Sequence, residues 1–561
     1  MKKITLLFIA CAMLSLTVAK AQVQANIYAS ELKASSVATD GDVEITYTLN
    51  ADASAVTVNV ENNEPISIPE GTNNWLKGVH TVTINLANPP AQEESLLWSV
   101  KADGVAAKTN TTGAPVKFTS DDNPLIQVCS PRGGVAVDKN FDSPFFGRVY
   151  MTESMGGVDN GKYDTTRQTY DGIYILNAAL EDITGQEANS YAGGLNLILR
   201  TPAYVDLSPY FVSVAPDGKV LVPVNYYLTA TPDSLNLWIM DAEKPAENFV
   251  PAFGGKNRTP HPIRSHIIGD DLFVFEQTNE DAPLAYRIVK YANFSAPHTG
   301  AITQTLYSGA TTTSKIYPAT RSNANFIPDG RGGWWIAQGL ATSGAAATES
   351  SDKSSLYHID ANGTFDYESY VLGIGNIIRG AVAYNKEKEL IAVGVGNTIK
   401  FFDVKWTTNV PSLTAATPAI FTTSLSSTYT IDFLEFDAAN NLYMGSSSTE
   451  KVYVYAMPTT ALNNTFTTIA PASQALVSAE PNNTKAVTLG SISVVCLGND
   501  ITITSGSAIQ SVKLYDLQGR TIISVQGIAA GTYSLTAPSK GIYIVETVTG
   551  DACGVQKIVI R

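Results

Sequence analysis

Between about Cys129 and Met457 one pattern returns six times: a short apolar strand, a polar turn, a second apolar strand, and a later strand with an aromatic or apolar core. The turns carry Asp138, Asp217, Asp270, Asp329, Asn385 and Asp437, spaced 52 to 79 residues apart. One such unit cannot bury its apolar faces alone. Copies stacked around an axis can, and a multi-stranded repeat of this length fits the blades of a β-propeller better than a solenoid or a sandwich. The expected pairs are 134–137 with 148–151, 212–214 with 219–222, 267–268 with 272–275, 326–327 with 334–336, 381–384 with 390–393, and 433–436 with 442–444. Pro-Asp-Gly at 216–218 and 328–330 suits tight turns: Pro presets φ, Asp bonds its own backbone and Gly tolerates positive φ. Third strands follow at 172–176, 237–240, 286–289, 356–359, 398–402 and 452–455, while the solvated outer strands leave the weakest pattern. The count is six blades.

Asp329, Gly332 and Trp335 share a D-x-x-[GN]-x-x-[WY] pattern with Asp437, Asn440 and Tyr443. It resembles the blades of six- to eight-bladed propeller families, in which the motif packs blades together and carries no chemistry. The chain as a whole resembles secreted six-bladed propeller proteins without an assigned activity. Before the repeat, strict alternation at 43–49, 56–60, 80–86 and 96–100 predicts a β-sandwich with one solvated face. The stretches 47–50 and 97–102 resemble immunoglobulin-like repeats of secreted bacterial proteins, which imply a spacer or docking module. The apolar run 125–128 is expected to supply the last blade's outer strand and so remove an open sheet edge. The expected order is all-β: a signal peptide (1–21), an immunoglobulin-like sandwich (22–118), a six-bladed propeller (119–458), a Thr/Ala/Asn/Pro-rich linker (459–491) and a small terminal sandwich (492–561).

The two ends speak to address. Lys2 and Lys3, the apolar run 4–18 and Ala19-Lys20-Ala21 have the anatomy of a secretory signal peptide; Cys11 lies inside the run, where filler is the better reading than lipid attachment. No later stretch is apolar for ~18 residues, so no membrane-spanning helix is expected. At the far end, 512–520 with its YDLQGR turn, the GIYIV strand at 541–545 and the basic 557–561 resemble the C-terminal sorting domain of type IX secretion. That resemblance implies passage through the periplasm, the secretion machinery as a partner, and release or anchoring at the outer-membrane surface. Gln518-Gly519 reads as a hairpin turn, and Cys553 departs from the polar turn expected at its position.

Charge and motifs exclude more than they select. A net charge of −14 argues against nucleic acid and anionic membrane surfaces as partners. The five histidines and the lack of H-E-x-x-H, G-x-S-x-G, P-loop and C-x-x-C patterns assign no metal, cofactor or catalytic residue, so the balance favours a non-enzyme. Carboxylate-only chemistry leaves no signature, which keeps a polysaccharide lyase, hydrolase or lactonase as the alternative, and a protein-docking module as the third class. His261 and His266 read as loop residues before metal ligands or a base, and the glycines around Arg331 as a hairpin rather than a phosphate cradle. Trp334-Trp335 and the 26 tyrosines read as inter-blade core before sugar-stacking platforms. Arg132, Arg264 and Arg379 each lie six residues before a repeat turn and Arg321 eight, with Tyr210 at the corresponding place in the second blade. These five either tie neighbouring blades together or form a ligand-binding mouth, where guanidinium forks suit carboxylate or sulfate. The functional expectation is a monomeric, secreted or cell-surface binding propeller that captures a glycan or another polymer at that mouth.

Without its first 21 residues the chain keeps Cys129, Cys496 and Cys553, enough for one internal bridge (Cys496–Cys553) or for none. One bridge contributes about 2–4 kcal/mol, little beside a core of this size. Thermal unfolding with and without reductant should therefore nearly coincide, and a collapse of the melting temperature under reduction would contradict this.

Overall fold

The computed structural model describes residues 22–560 except 72, 92–93, 120–133, 154–171, 182, 184–194, 197–206, 210, 227–236, 243–248, 254–260, 279–284, 310–312, 320–322, 341–347, 447–450, 479–486, 490–491, 498–499, 517–519, 539–540 and 550–552. The expected signal peptide, the run 125–128 and the Gln518-Gly519 turn lie outside the described residues. The chain divides into two compact units, 1–477 and 478–561. Among the described residues no helix is long and apolar enough to cross a membrane.

Six sheets form the propeller, each running inner, second, third, outer strand with antiparallel neighbours, and the second blade carries a fifth strand, Leu207–Pro209, on its second strand beyond the inner one. The inner strands are Val135–Val137, Ser213–Val214, His261–Ile268, Ala324–Pro328, Val382–Asn385 and Phe433–Phe436. Each touches the next, and the sixth touches the first, so the ring is closed. Alternation decides how blades pack. Trp334 and Trp335, adjacent on the second strand of blade 4, are both buried and face opposite ways. Trp334 joins Phe275 and Tyr286 of blade 3, whereas Trp335 joins Ile391 and Phe401 of blade 5.

Backbone register corrects the repeat alignment. Asp138, Ala215, Asp329 and Asp437 each donate their N–H across the first turn of the blade, to Arg148, Lys219, Gly333 and Asn441 at 2.7–3.0 Å. Ile268, paired with Asp271, and Asn385, paired with Leu390, hold the same place in blades 3 and 5. Asp217 and Asp270 lie two residues further on and are exposed. Blade 3 turns in two residues, Gly269-Asp270, with Gly269 at a φ of 58°. A turn aspartate marks a turn, and turns of different length put it at different places.

The N-terminal sandwich packs a sheet of Ala29–Ala34, Asp42–Leu49 and Gly78–Asn85 against a second of Thr465–Ile469, Trp98–Gly104, Ala53–Val60 and Ile66–Ser67. Val43, Ile45, Tyr47 and Leu49 alternate into a core shared with Val56, Val58, Val60 and Val100. Thr465–Ile469 comes from the stretch expected to be a linker; it pairs along Trp98–Gly104, and Leu476–Val477 pairs with Ser95–Leu96. The last blade is closed by Val116–Lys117, which pairs with Tyr455 and Ala456. Ring closure does come from the N-terminal side, but through residues placed by sequence in the sandwich. The propeller is thus inserted into the sandwich, and the chain crosses at the junction in both directions.

That junction is polar and tightly bonded. Asn26 donates its N–H to Asn441 Oδ1 at 2.7 Å, and Asn441 Nδ2 donates back to the Asn26 carbonyl at 3.0 Å. Arg148 Nε meets Glu31 Oε1 at 2.7 Å, and Tyr28 packs edge-on against Phe146 at 5.9 Å.

The terminal unit, taken by itself, is two four-stranded sheets around Ile501, Ile503, Val512, Leu514 and Val545. Cys496 and Cys553 fall in strands Ile492–Leu497 and Cys553–Ile560, but their side chains lie outside the described residues.

Truncation separates the two boundaries. A chain ending at 480 should keep one cooperative melt, whereas one ending at 458 should lose the sandwich strand and expose 22–118 to limited proteolysis. Equal protease resistance of the two would contradict the insertion.

Candidate binding site in the central channel

A cavity of about 570 Å³ runs along the propeller axis and is lined by the inner strands of all six blades. An inner strand pairs on one side only, so its other edge faces the channel while its side chains alternate toward the two neighbouring blades. Two residues before the turn position, Ser213 Oγ donates to the Ser265 carbonyl of blade 3 at 2.6 Å, and His266 Nε2 donates to the Phe326 carbonyl of blade 4 at 2.8 Å. Each bond runs from the second residue before one blade's turn position to the third before the next blade's, and this common offset supports the register above. A carbonyl can only accept, so His266 carries its proton on Nε2 and offers Nδ1 as an acceptor. Burial pushes the His266 pKa down to about 4, with the Arg264 and Lys139 charges adding to the shift, so the ring is neutral above that pH.

Four residues before the turn position, blades 2, 3 and 4 supply Phe211, Arg264 and Asn325 to one layer of the channel. The Arg264 guanidinium lies over the Phe211 ring. Its Nε donates to Asn325 Oδ1 at 3.0 Å and its Nη1 to the Ile263 carbonyl at 3.2 Å. Burial pulls the Arg264 pKa well below its ordinary value. Near the turn-side mouth, Lys139 is paired with Glu435, and Lys386 is exposed over Gly330. The sandwich stands beside this mouth, because Phe146 and Phe141, just after Lys139 and Asn140, pack in the cluster that holds Tyr28.

Of the five candidates from sequence, Arg132, Tyr210 and Arg321 lie outside the described residues. Arg264 and Arg379 both bridge the blades on either side of their own. Arg379 of blade 5 reaches Asn323 Oδ1 of blade 4 at 3.3 Å and Asp432 Oδ1 of blade 6 at 3.3 Å. The two are not equivalent: Arg264 lies inside strand His261–Ile268, two residues nearer its turn than Arg379 is to Asn385. His261 and His266 are strand residues, not loop residues, and His266 lines the channel. Asn325, Lys139 and Lys386 also line it. No single-residue signal marks them, although counting back from a correctly aligned turn would have found Asn325. Another buried histidine, His358, lies between Asp366 Oδ1 at 2.6 Å and Asp329 Oδ2 at 3.1 Å; it fastens the first turn of blade 4 to its third strand. Among the described residues no group of three His, Cys, Asp or Glu side chains could hold a metal ion.

Residues 498–561 match the family of secretion system C-terminal sorting domains, which routes the protein through type IX export to the cell surface or extracellular space. No curated protein matches the sequence. Among solved structures, the extracellular domain of a putative one-component system from B. thetaiotaomicron shares 10% identity, with 94% of this chain and 68% of that one covered and a TM-score of 0.30. A subtype N10 neuraminidase-like protein of a little yellow-shouldered bat influenza strain shares 9%, over 61% of this chain and 97% of that one, at 0.32. The WD40 propeller domain of Doa1 shares 8%, over 62% and 96%, at 0.27. Likeness this distant gives this chain no ligand.

Two turn aspartates on the mouth side set a pH dependence. Burial pushes Asp437 up to about 7, despite bonds donated by Asn441 N and Nδ2 at 2.7 Å each. Burial likewise pushes Asp138 up to about 6, despite the Ser143 hydroxyl and Asn140 N–H. Unfolded, each titrates near 3.8. Between roughly pH 4 and 7 the folded state therefore holds more protons, and stability falls as pH rises. His266, held near 4 in the folded state and ordinarily near 6.5, opposes this between roughly pH 4 and 6.5. Melting should therefore be higher at pH 5 than at pH 7.5, by a net on the order of 1–2 kcal/mol of unfolding free energy. A flat or opposite profile would contradict it.

Proposed function

We propose that this secreted propeller is a non-catalytic binding protein that captures an acidic glycan at the turn-side mouth of its channel. The observation that carries this reading is a local surplus of cations in a chain of net charge −14. Arg264, Lys139 and Lys386 line the cavity against Glu435 and Asp138, and Asp138 is wholly buried in its turn. The volume, about 570 Å³, suits a short stretch of oligosaccharide, since ligand pockets run from roughly 300 to 1,000 Å³. One wall offers polar groups from Ser213, His266 and Asn325, and the other is apolar at Ala383, Phe433 and Leu434. A pyranose presents the same two faces, hydroxyl edges and a C–H surface.

The test is a screen of uronic-acid, sulfated and neutral oligosaccharides against the secreted protein, with the sugars recovered and analysed. Saturable binding of acidic sugars that weakens with salt, with the sugars recovered intact, is expected. No preference for acidic over neutral sugars would sink the reading; shortened or unsaturated products would turn it into an enzyme.

A further inference from the structure

The layer of Arg264 and Asn325, with His266 above it, has a property that blade-stitching does not require. Arginine can only donate, so Arg264 Nε fixes Asn325 with Oδ1 toward the guanidinium and leaves the amide Nδ2 as a donor with no bond among the described residues. Among the described residues Arg264 Nη2 makes no bond, and His266 Nδ1 is an unbonded acceptor one layer nearer the mouth. All three residues line the same cavity, and Arg264 is only 6% exposed. Two kinds of donor and one acceptor are therefore held in fixed orientation at depth, the guanidinium by Phe211 beneath it and Asn325 beside it.

We propose that this layer is a carboxylate subsite that receives the terminal uronic acid of an acidic sugar chain inserted end-on. The proposal rests on the glycan reading and narrows it. The outer edge of the guanidinium, Nη1 with Nη2, presents parallel N–H groups to the two carboxylate oxygens. Asn325 Nδ2 supplies a third donor, and His266 Nδ1 accepts a ring hydroxyl. The next acidic unit then lies toward the mouth, where Lys386 is exposed and Lys139 is shared with Glu435. A buried guanidinium that has lost water gains more from an anion than an exposed one does, because the local dielectric is low. Chain ends, rather than chain interiors, would be selected, since the strands of six blades enclose the deep layer.

Asn325→Asp tests this with little change of shape. The new carboxylate would pair with Arg264, cancel its charge and remove the third donor, so the fold should hold or melt slightly higher. Affinity for acidic oligosaccharides should drop about tenfold or more. In the unaltered protein, free glucuronate or galacturonate should compete with the oligosaccharide, and their methyl esters should not. If acidic chains bind, yet Asn325→Asp binds them equally well and no free uronate competes, the subsite is wrong while the glycan reading stands. Competition by a sulfated monosaccharide in place of the uronates would overturn the carboxylate assignment. If no acidic chain binds at all, both fall together.

Discussion

The constraint on which the larger unit depends is the double exchange of strands at its junction. Val116–Lys117 leaves the sandwich to finish the sixth blade, and Thr465–Ile469 returns from the propeller to finish the sandwich. An open blade leaves a row of unpaired N–H and C=O groups, and so does a sandwich sheet missing its edge strand. Each body therefore covers the other's open edge. Neither is complete without the chain of its neighbour, which makes the unit to 477 one cooperative object rather than two beads on a linker.

Ring closure then fixes the channel. With six inner strands each in contact with the next, equivalent positions fall in layers, and side chains two and four residues before the turn reach toward the following blade. Where that residue can donate, it caps a carbonyl on the neighbour's free edge, as Ser213 and His266 do. Where it is Arg264, a stack on one side and an amide on the other hold it in place. The same geometry that stiffens the ring thereby prepares a polar layer, with no rearrangement needed to orient it.

Much of this architecture was legible in the sequence because apolar alternation and turn residues are local signals. Trp334-Trp335 could be read as inter-blade core, and both are buried, one toward each neighbour. Thr465–Ile469 could not be read as a sandwich strand: it buries Thr468 and half-buries Phe466, while Ile469 is exposed, so no apolar alternation advertises it. Val116–Lys117 is two residues long and gives no pattern at all. His261 and His266 looked like loop residues because Pro262 interrupts the run. The strand tolerates it through a bulge between Pro262 and Arg264 and a free inner edge, where a missing N–H costs little. The arginine rim was misaligned for the reason Asp217 and Asp270 were, since turn length varies while turn chemistry does not.

Junction and channel meet on one face. Asp437 accepts from Asn441, which is bonded to Asn26 of the sandwich, and Asp138 lies beside Lys139 at the channel mouth. Phe141 and Phe146, on the loop that follows Lys139, sit in the cluster around Tyr28. The turns of blades 6 and 1 that the sandwich covers are thus the turns that frame one side of the mouth. That side of the mouth is covered by the sandwich, while the side framed by Lys386 and Gly330 of blades 5 and 4 remains exposed. Approach is asymmetric even though the ring is pseudo-symmetric. The sandwich therefore covers one side of the channel mouth, in addition to being the body that closes the propeller.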